Sequence, residues 1–215
     1  IEYLIRRAKN LSKYGQLILS TSRDNRDKKL IKIAKNNKIS YFAGHKDDKL
    51  KRYYSNALRF KLDAMVIIDG DDPFFFSDLI IKQIKLFKKF HYDCIYYKTD
   101  HVGINCFLIK TTALKKIIEK KRRRDTEVWG HYFINNKKLK NKKLKINLNF
   151  LKKPLRLTLD YYEDFKLIKK LVVLMKFKTN FSDNKFKKIL KRNIRLLNIN
   201  SVVVDQYNKN LKLIT

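Results

Sequence analysis

The segment MVIIDGDDPFF, Met65 to Phe75, places three carboxylates directly after a buried strand. Its first four residues are apolar and predict the strand, and the proline near its end stops it. In an open α/β sheet, ligands bind beyond the carboxyl ends of the strands. Carboxylate oxygens gathered there suit a hard cation such as Mg²⁺ or Mn²⁺. A turn is the alternative interpretation, since Asp and Gly are also turn residues. The three carboxylates are Asp69, Asp71 and Asp72.

Strand and helix patterns alternate along the chain, which predicts an α/β domain. Helical stretches of ten to fifteen residues between strands favour parallel pairing through right-handed crossovers. The predicted strands are 16–20, 39–42, 64–68, 93–97, 104–109, 143–150 and 155–159. The predicted helices are 1–13, 26–37, 47–60, 77–90 (with Ser77 as N-cap), one from Thr111, a short one at 125–133, one after Asp160, and 183–197. We assign 1–180 to the α/β domain and 181–215 to a helical C-terminal extension.

The chain is strongly basic, with 52 Lys and Arg against 20 Asp and Glu and a net charge of +32. A protein that binds nucleic acid is one interpretation of such a charge. The lysines are spread over every segment among Asn, Ile, Tyr and Phe, which a codon bias toward AT-rich triplets explains equally well. No run approaches the roughly 20 apolar residues of a membrane span, so we expect a cytoplasmic protein. Cys94 and Cys106 lie in apolar surroundings and are expected to be buried thiols.

A second acidic group follows the predicted strand at 155–159. Asp160 lies at its carboxyl end, and Glu163 and Asp164 come one helical turn later. Asp160 can meet Asp71 across the same cleft, which gives Mg²⁺ two protein ligands and leaves its other positions to phosphate and water. The alternative is that Asp160 is the N-cap of the next helix, with Glu163 completing a capping box.

Polar residues elsewhere are further candidates. Thr21, Ser22, Arg23 and Asp24 follow a predicted strand, where they can read a nucleobase or cap the next helix. Arg52 lies within a helix and can clamp a phosphate if it faces the cleft. The compact group at 126–129 contains Thr126, Glu127 and Trp129, although a lone tryptophan is more often a core residue. No phosphate loop, dinucleotide fingerprint or nucleophile elbow is found in the sequence.

In order, the motifs STSRD, FAGHKDDKLKRYY, DGDDPF, DTEVWGHYF and LTLDYYEDF resemble the cytidylyltransferases that activate acidic sugars. These are the SpsF-type spore-coat polysaccharide proteins and the CMP-sialic-acid and CMP-KDO synthetases. The resemblance implies a GT-A-like nucleotidyltransferase fold, with a mainly parallel, Rossmann-like sheet flanked by helices. It implies transfer of CMP from CTP to an acidic sugar with release of pyrophosphate, for polysaccharide or glycan synthesis, and a homodimer.

The resemblance also assigns roles to residues. Asp71 and Asp160 match the aspartates that hold Mg²⁺ and are the implied catalytic residues. The region from Thr21 to Asp24 and Arg52 match the nucleotide site. Thr126, Glu127 and Trp129 match a segment that lies toward the sugar.

One departure from the family is large. Its members begin with a strand and a loop rich in Gly, Arg and Lys that surrounds the triphosphate, and neither has a counterpart here. We therefore expect an N-terminally truncated chain that lacks its first strand, which brings its own activity into question. The two strands that would flank the missing one, 16–20 and 64–68, are expected to leave a gap or to close together, and exposed backbone there favours aggregation.

Two other functions remain open from the sequence. A GT-A glycosyltransferase would use Asp69, Gly70 and Asp71 as a D-x-D motif for Mn²⁺ and a nucleotide sugar. A noncatalytic basic protein that binds nucleic acid would carry a continuous Lys/Arg stripe, and its affinity would fall steeply with salt.

Overall fold

The computed structural model describes residues 1–104 and 106–204 and shows an α/β fold. The strands are β1 (Ile18–Ser22), β2 (Ser40–Gly44), β3 (Ala64–Ile67), β4 (Cys94–Lys98), β5 (Phe107–Lys110) and β6 (Asn141–Lys145). The helices are α1 (Glu2–Lys9), α2 (Lys28–Asn36), α3 (Lys49–Arg59), α4 (Ser77–Phe90), α5 (Thr111–Lys120), α6 (Tyr162–Leu174) and α7 (Asp183–Arg192). Short 3₁₀ turns lie at Ser12–Tyr14, Asn25–Asp27, Gly130–Tyr132 and Ile194–Asn198.

The strands form two separate sheets within the described part of the chain. β1 pairs in parallel with β2, and the second sheet has the order β3-β5-β4-β6. β4 and β6 are parallel, whereas β5 is antiparallel to both β3 and β4, so β3, β4 and β6 run in one direction. β1 and β3 are not paired with each other, which confirms the predicted gap. The aggregation expected from it stays a prediction.

The gap is a cleft of about 1000 Å³, which we call the β1–β3 cleft. Its lining includes residues of β1 and β3 and one face of α3, with apolar side chains of α1 and α4 such as Ala8, Ile80 and Ile84. Asp69, Gly70 and Asp71 line it at the carboxyl end of β3. The acidic segment therefore borders this cleft.

The prediction of a strand at 155–159 is wrong. The segment nevertheless pairs with the rest of the fold at one residue. It makes one isolated parallel bridge, between Val102 and Arg156. The Val102 amide donates to the Leu155 carbonyl at 2.8 Å, and the Leu157 amide donates to the Val102 carbonyl at 2.9 Å. Pairing stops there because the partner segment turns at Gly103, whose φ is +85°. A Cβ at that glycine would lie 2.3 Å from the carbonyl carbon of Leu157, so only glycine permits this approach.

Three local predictions also differ from the structure. The predicted helix at 125–133 is reduced to the turn at Gly130–Tyr132, because the Asp125 side chain accepts the amide of Glu127 and Trp129 is buried in the core. The predicted strand at 143–150 is β6 and begins two residues earlier, and a local bond from the Asn149 amide to the Asn147 side chain bends the chain after it. Ser77 is the first residue of α4 and not its cap.

α7 packs on the α/β core through aromatic and capping contacts. The Phe186 ring stacks on Phe74 with centroids 4.7 Å apart. The Asp183 carboxylate accepts the amide of Asp78 at the start of α4, and the Asp78 carboxylate accepts the amide of Asp183 at the start of α7. The division of the chain at residue 180 stays a prediction. The last residues of the predicted C-terminal extension, 205–215, lie outside the described residues.

Both cysteines are free and buried, as predicted. Over residues 1–104 and 106–204, none of the helices combines the length and apolar character needed to cross a membrane.

Candidate functional site

The acidic segment after β3 is held in place by the three phenylalanines that follow it. Phe74, Phe75 and Phe76 are fully buried. Backbone hydrogen bonds from Asp72 to Asp69 and from Phe75 to Asp72 fold the segment into consecutive turns. The turn interpretation and the ligand interpretation are therefore compatible, because the turns leave Asp69 and Asp71 in the lining of the cleft while the phenylalanines anchor the backbone.

The carboxylates of this segment carry a charge that their surroundings do not balance. Burial raises the pKa of Asp71, and the nearby charges of Asp69 and Asp160 raise it further. Burial raises the pKa of Asp72 well above its usual range, and Asp71 and Asp69 add to the rise. Such shifts mean that the ionised carboxylates repel one another in a poorly hydrated place. A divalent cation between them would relieve that repulsion.

Asp160 has a different environment, because a buried arginine holds it. Arg156 Nη2 donates to Asp160 Oδ2 at 2.7 Å and to Asp164 Oδ2 at 2.8 Å. Asp164 also accepts the backbone amides of Asp160 and Tyr161 at the start of α6. The alternative prediction, that Asp160 is the N-cap of α6 with Glu163 in a capping box, is therefore wrong: Tyr161 is the N-cap, and Asp164 accepts its amide.

The carboxylates of Asp71 and Asp160 suit a hard cation that takes most of its ligands from phosphate and water. Within the described residues, no group of three or more His, Cys, Asp or Glu side chains stands ready to hold a metal ion. Asp71 and Asp160 are nevertheless close enough for the charge of Asp160 to raise the pKa of Asp71. Mg²⁺ is commonly bound by one or two carboxylates together with phosphate oxygens and water. Two aspartates at the edge of a cleft are enough for that mode of binding.

α3 contributes basic and polar side chains to the same cleft. Arg52 faces the cleft, as its predicted role required. Its side chain packs closely on Gly44, where an added Cβ would lie 2.8 Å from Arg52 Cγ. Arg52 Nη1 donates to the carbonyls of His45 and Lys46, which fixes the guanidinium. Among the described residues, its Nε has no hydrogen-bond partner. Lys49, one turn earlier, also lines the cleft.

Two further polar atoms in the cleft were missed by the sequence analysis. Ser20 Oγ and Asn56 Oδ1 are buried, line the cleft and have no hydrogen-bond partner in the described part of the chain. Asn56 lies four residues after Arg52, so both are on one face of α3. That spacing was a signal in the sequence, but nothing in it distinguished this face of the helix from the outer one.

At the carboxyl end of β1, the predicted nucleotide residues bond mainly to one another and to nearby charges. Thr21 Oγ1 and Ser22 Oγ both donate to Asp27 Oδ2, at 2.8 and 2.6 Å. Asp24 forms ion pairs with Arg26 and Lys46, each at 3.0 Å. The structure thus brings Thr21, Ser22 and Asp24 together at one strand end, with their side chains stabilising the loop.

The group at 126–129 is divided between the core and the surface. Thr126 is 1% exposed, and its hydroxyl donates to Asp48 and accepts the amide of Leu50 at the start of α3. Trp129 is buried and packs edge-on against Phe107. Glu127 is exposed and forms a 2.7 Å ion pair with Lys49, which lines the cleft, and Trp129 also packs edge-on against the cleft residue Tyr53.

Comparison with known proteins defines the fold. A solved cytidylyltransferase from Leptospira borgpetersenii serovar Hardjo-bovis matches 91% of this chain and 84% of that chain with a TM-score of 0.80, at 23% sequence identity. The chain has the nucleotidyltransferase fold. This confirms the predicted fold class, an α/β fold with sheets flanked by helices.

Two other likenesses add no assignment. The uncharacterized protein MJ1063 of Methanocaldococcus jannaschii is 26% identical over 169 residues, which is 78% of this chain and 70% of that protein. The molybdopterin-guanine dinucleotide biosynthesis protein A of Archaeoglobus fulgidus matches 88% of this chain and 84% of that chain with a TM-score of only 0.44, at 14% identity. No family model matches the chain.

Proposed function

We propose that the protein transfers CMP from CTP to an acidic sugar, with Mg²⁺ as cofactor, and releases pyrophosphate. The observation that carries the proposal is that Asp71, which lines the β1–β3 cleft, lies near enough to Asp160 for the charge of Asp160 to raise its pKa, in a nucleotidyltransferase fold. The product is the activated sugar for surface polysaccharide or glycan synthesis. A homodimer remains part of the proposal and is tested by light scattering.

In this reaction the sugar hydroxyl attacks the α-phosphorus of CTP in line, its oxygen forms the new P–O bond, and the bond to pyrophosphate breaks. The hydroxyl proton passes to a carboxylate or to water. Mg²⁺, when bound, supplies positive charge to the phosphate oxygens. Asp71 and Asp160 hold the cation, and Lys49 and Arg52 attract the phosphates from the side of α3. Catalysis is then chiefly positioning and charge stabilisation.

The remaining candidates divide between scaffold and substrate contact. Thr21, Ser22 and Asp24 shape the nucleotide end of the cleft at β1. Thr126 and Trp129 support α3 and the core from below, and Glu127 is the member of that group that can face the sugar.

The test measures pyrophosphate release by the purified chain with CTP, UTP, ATP or GTP, Mg²⁺, and either 3-deoxy-octulosonic acid or N-acetylneuraminic acid. We expect release with CTP, and a loss of at least about 100-fold in Asp71→Ala and in Asp160→Ala. Glu119→Ala, on the exposed surface of α5, is the matched control and should keep full activity. Circular dichroism confirms that each variant is folded.

Three results contradict the proposal. Full activity in both aspartate variants removes the metal assignment. Release with another nucleotide but not with CTP removes the cytidylyl specificity. Failure to release pyrophosphate, together with no binding of CTP and Mg²⁺ by calorimetry, removes the function itself. Transfer of sugar from a nucleotide sugar without pyrophosphate would instead support the glycosyltransferase that the D-x-D pattern allows.

A further inference from the structure

The segment after α7 reaches back to the predicted metal ligand Asp160 through a chain of buried hydrogen bonds. The first link is Arg156, which is 4% exposed. Its Nε donates to both oxygens of Asp164, at 3.0 and 3.2 Å, while Nη2 donates to Asp164 and to Asp160. A guanidinium is planar, so a fork fixed on one carboxylate also fixes the direction of its other N–H groups. Arg156 therefore sets where the Asp160 carboxylate lies.

Asp164 is the second link and acts on the backbone as well as on Arg156. It is fully buried, and its Oδ2 accepts the amides of Asp160 and Tyr161 at 3.2 and 3.1 Å. Asp160 is thus held twice, through its side chain by Arg156 and through its amide by Asp164. Because Asp160 Oδ2 takes the bond from Arg156, Oδ1 is the oxygen left to face a cation.

Asn200 is the third link and comes from the C-terminal segment. Its Nδ2 donates to Asp164 Oδ1 at 2.7 Å and to the carbonyl oxygen of Arg156 at 3.1 Å, and the residue is 3% exposed. It lies 36 residues beyond Asp164 in sequence. The apolar residues before it, Leu196, Leu197 and Ile199, pack against the core around Phe186 and anchor it.

We propose that Arg156 and Asn200 are positioning residues for Asp160, so that the segment after α7 sets the geometry of the cation site. The metal part of this inference rests on the proposed function. Side chains that orient a metal ligand typically change metal affinity or activity by 10–100-fold when they are lost. A site must also hold its ligands within about 0.5 Å of the productive position. The network supplies that constraint from residues outside the motifs of the sequence.

The first measurement follows hydrogen exchange of the Asp160 and Tyr161 amides by NMR in the metal-free protein. Asn200→Ala should speed their exchange, because Asp164 loses the donor that fixes its Oδ1 side. Asn193→Ala is the matched control: it is the same residue type in the same segment, and within the described part of the chain its side chain bonds only to the Ile189 carbonyl of α7. The control should leave both amides unchanged even if it lowers overall stability.

The second measurement is the affinity for Mn²⁺ by electron paramagnetic resonance, with the Mg²⁺ dependence of activity as its kinetic counterpart. We expect about 10-fold weaker binding in Asn200→Ala and a larger loss in Arg156→Lys, which keeps the charge but lacks the fork. The Mg²⁺ concentration for half-maximal rate should rise more than kcat falls. Asn193→Ala should bind Mn²⁺ as the wild type does.

The outcomes separate this inference from the proposed function. Exchange rates and Mn²⁺ affinity that are the same in Asn200→Ala and Asn193→Ala overturn the inference, whatever the activity. If the wild type binds no Mn²⁺, the metal assignment fails, and amide exchange alone then decides whether Asn200 positions Asp160. If Asn200→Ala does not fold, Arg156→Lys gives the same two comparisons.

Discussion

Two groups of carboxylates lie near each other beside the cleft. Hydrogen bonds from a buried arginine balance the negative charge of one group, and the other group has no such partner among the described residues. In the segment after β3, burial raises the pKa values of Asp69, Asp71 and Asp72, and the charges of neighbouring carboxylates of the segment raise those of Asp71 and Asp72 further. Burial alone would also raise the pKa of Asp164, but hydrogen bonds from Arg156 and Asn200 outweigh it and hold that pKa below its usual range.

The difference shows where positive charge is missing. The group around Asp164 carries its own cation in Arg156, and the structure is complete without a ligand there. The group after β3 has only the more distant effects of Lys49 and Arg52, which lower the pKa of Asp69 without reversing its rise. A divalent cation therefore has most to stabilise on the β3 side, with Asp160 as the bridge between the two groups.

The largest expected effect comes from removing a carboxylate of the balanced group, which consists of Asp160, Asp164 and Arg156. Asp164→Ala leaves Arg156 buried without its main partner, and removing one partner of a buried ion pair destabilises a protein by about 3–5 kcal/mol. Urea unfolding at pH 7 measures this loss. Glu163→Ala, the neighbouring residue, is the control and should change the free energy of unfolding by less than about 0.5 kcal/mol. A loss below about 1 kcal/mol in Asp164→Ala would contradict the contrast between the two groups.

A gain in stability is expected when a charge is removed from the unbalanced group, which consists of Asp69, Asp71 and Asp72. Asp72→Asn removes a buried negative charge that its neighbours repel, so the metal-free protein should become more stable, by about 1 kcal/mol at pH 7. Asparagine keeps the shape of the side chain and can still hydrogen-bond Thr158. Urea unfolding in a chelating buffer is the measurement, with the exposed Asp47→Asn as the control. A destabilised Asp72→Asn would mean that the charge is already compensated.

The sequence was sufficient to predict the unbalanced group, because the residues that define it are neighbours in the chain. An apolar run, three acids and a proline within eleven residues define a strand and its end, and α4 was predicted with both ends correct at 77 and 90. The family resemblance supplied the gap between β1 and β3. Two properties of neighbouring residues, periodicity and turn chemistry, thus carried most of the fold.

The balanced group was not predictable in the same way, because it is made by contacts between distant residues. Arg156 and Asn200 are 44 residues apart, and no local pattern connects them. The alternating segment at 155–159 looked like a strand, yet Val102 is its one pairing partner among the described residues. Thr126 likewise became a helix-stabilising residue through Asp48, a contact across 78 residues.

The pH dependence of stability should differ between the two groups. A raised carboxyl pKa gives a contribution that is complete below about pH 4 and is lost as the pH rises through the higher folded value. The wild type should therefore lose stability relative to Asp72→Asn as the pH rises above about 4, because burial and the charges of Asp71 and Asp69 raise the pKa of Asp72. The lowered pKa of Asp164 has the opposite sign: its contribution is present above about pH 4 and is lost at lower pH. Equal pH profiles for wild type and Asp72→Asn would remove the contrast.

The smallest effect is the response to the cation itself, and it separates specific binding from screening. At a Mg²⁺ concentration about twice the Kd, binding to the folded state adds about 0.7 kcal/mol, which raises the Tm of a chain of this size by roughly 2 °C. Asp71→Asn should lose this shift, because it removes a predicted ligand, whereas Glu163→Ala should keep it. NaCl at matched ionic strength is the second control. Since the chain has a net charge of +32, general electrostatics disfavour a divalent cation, so a Mg²⁺ shift that NaCl does not reproduce points to the carboxylates. An equal shift in Asp71→Asn would place the cation elsewhere and leave the repulsion after β3 without a function.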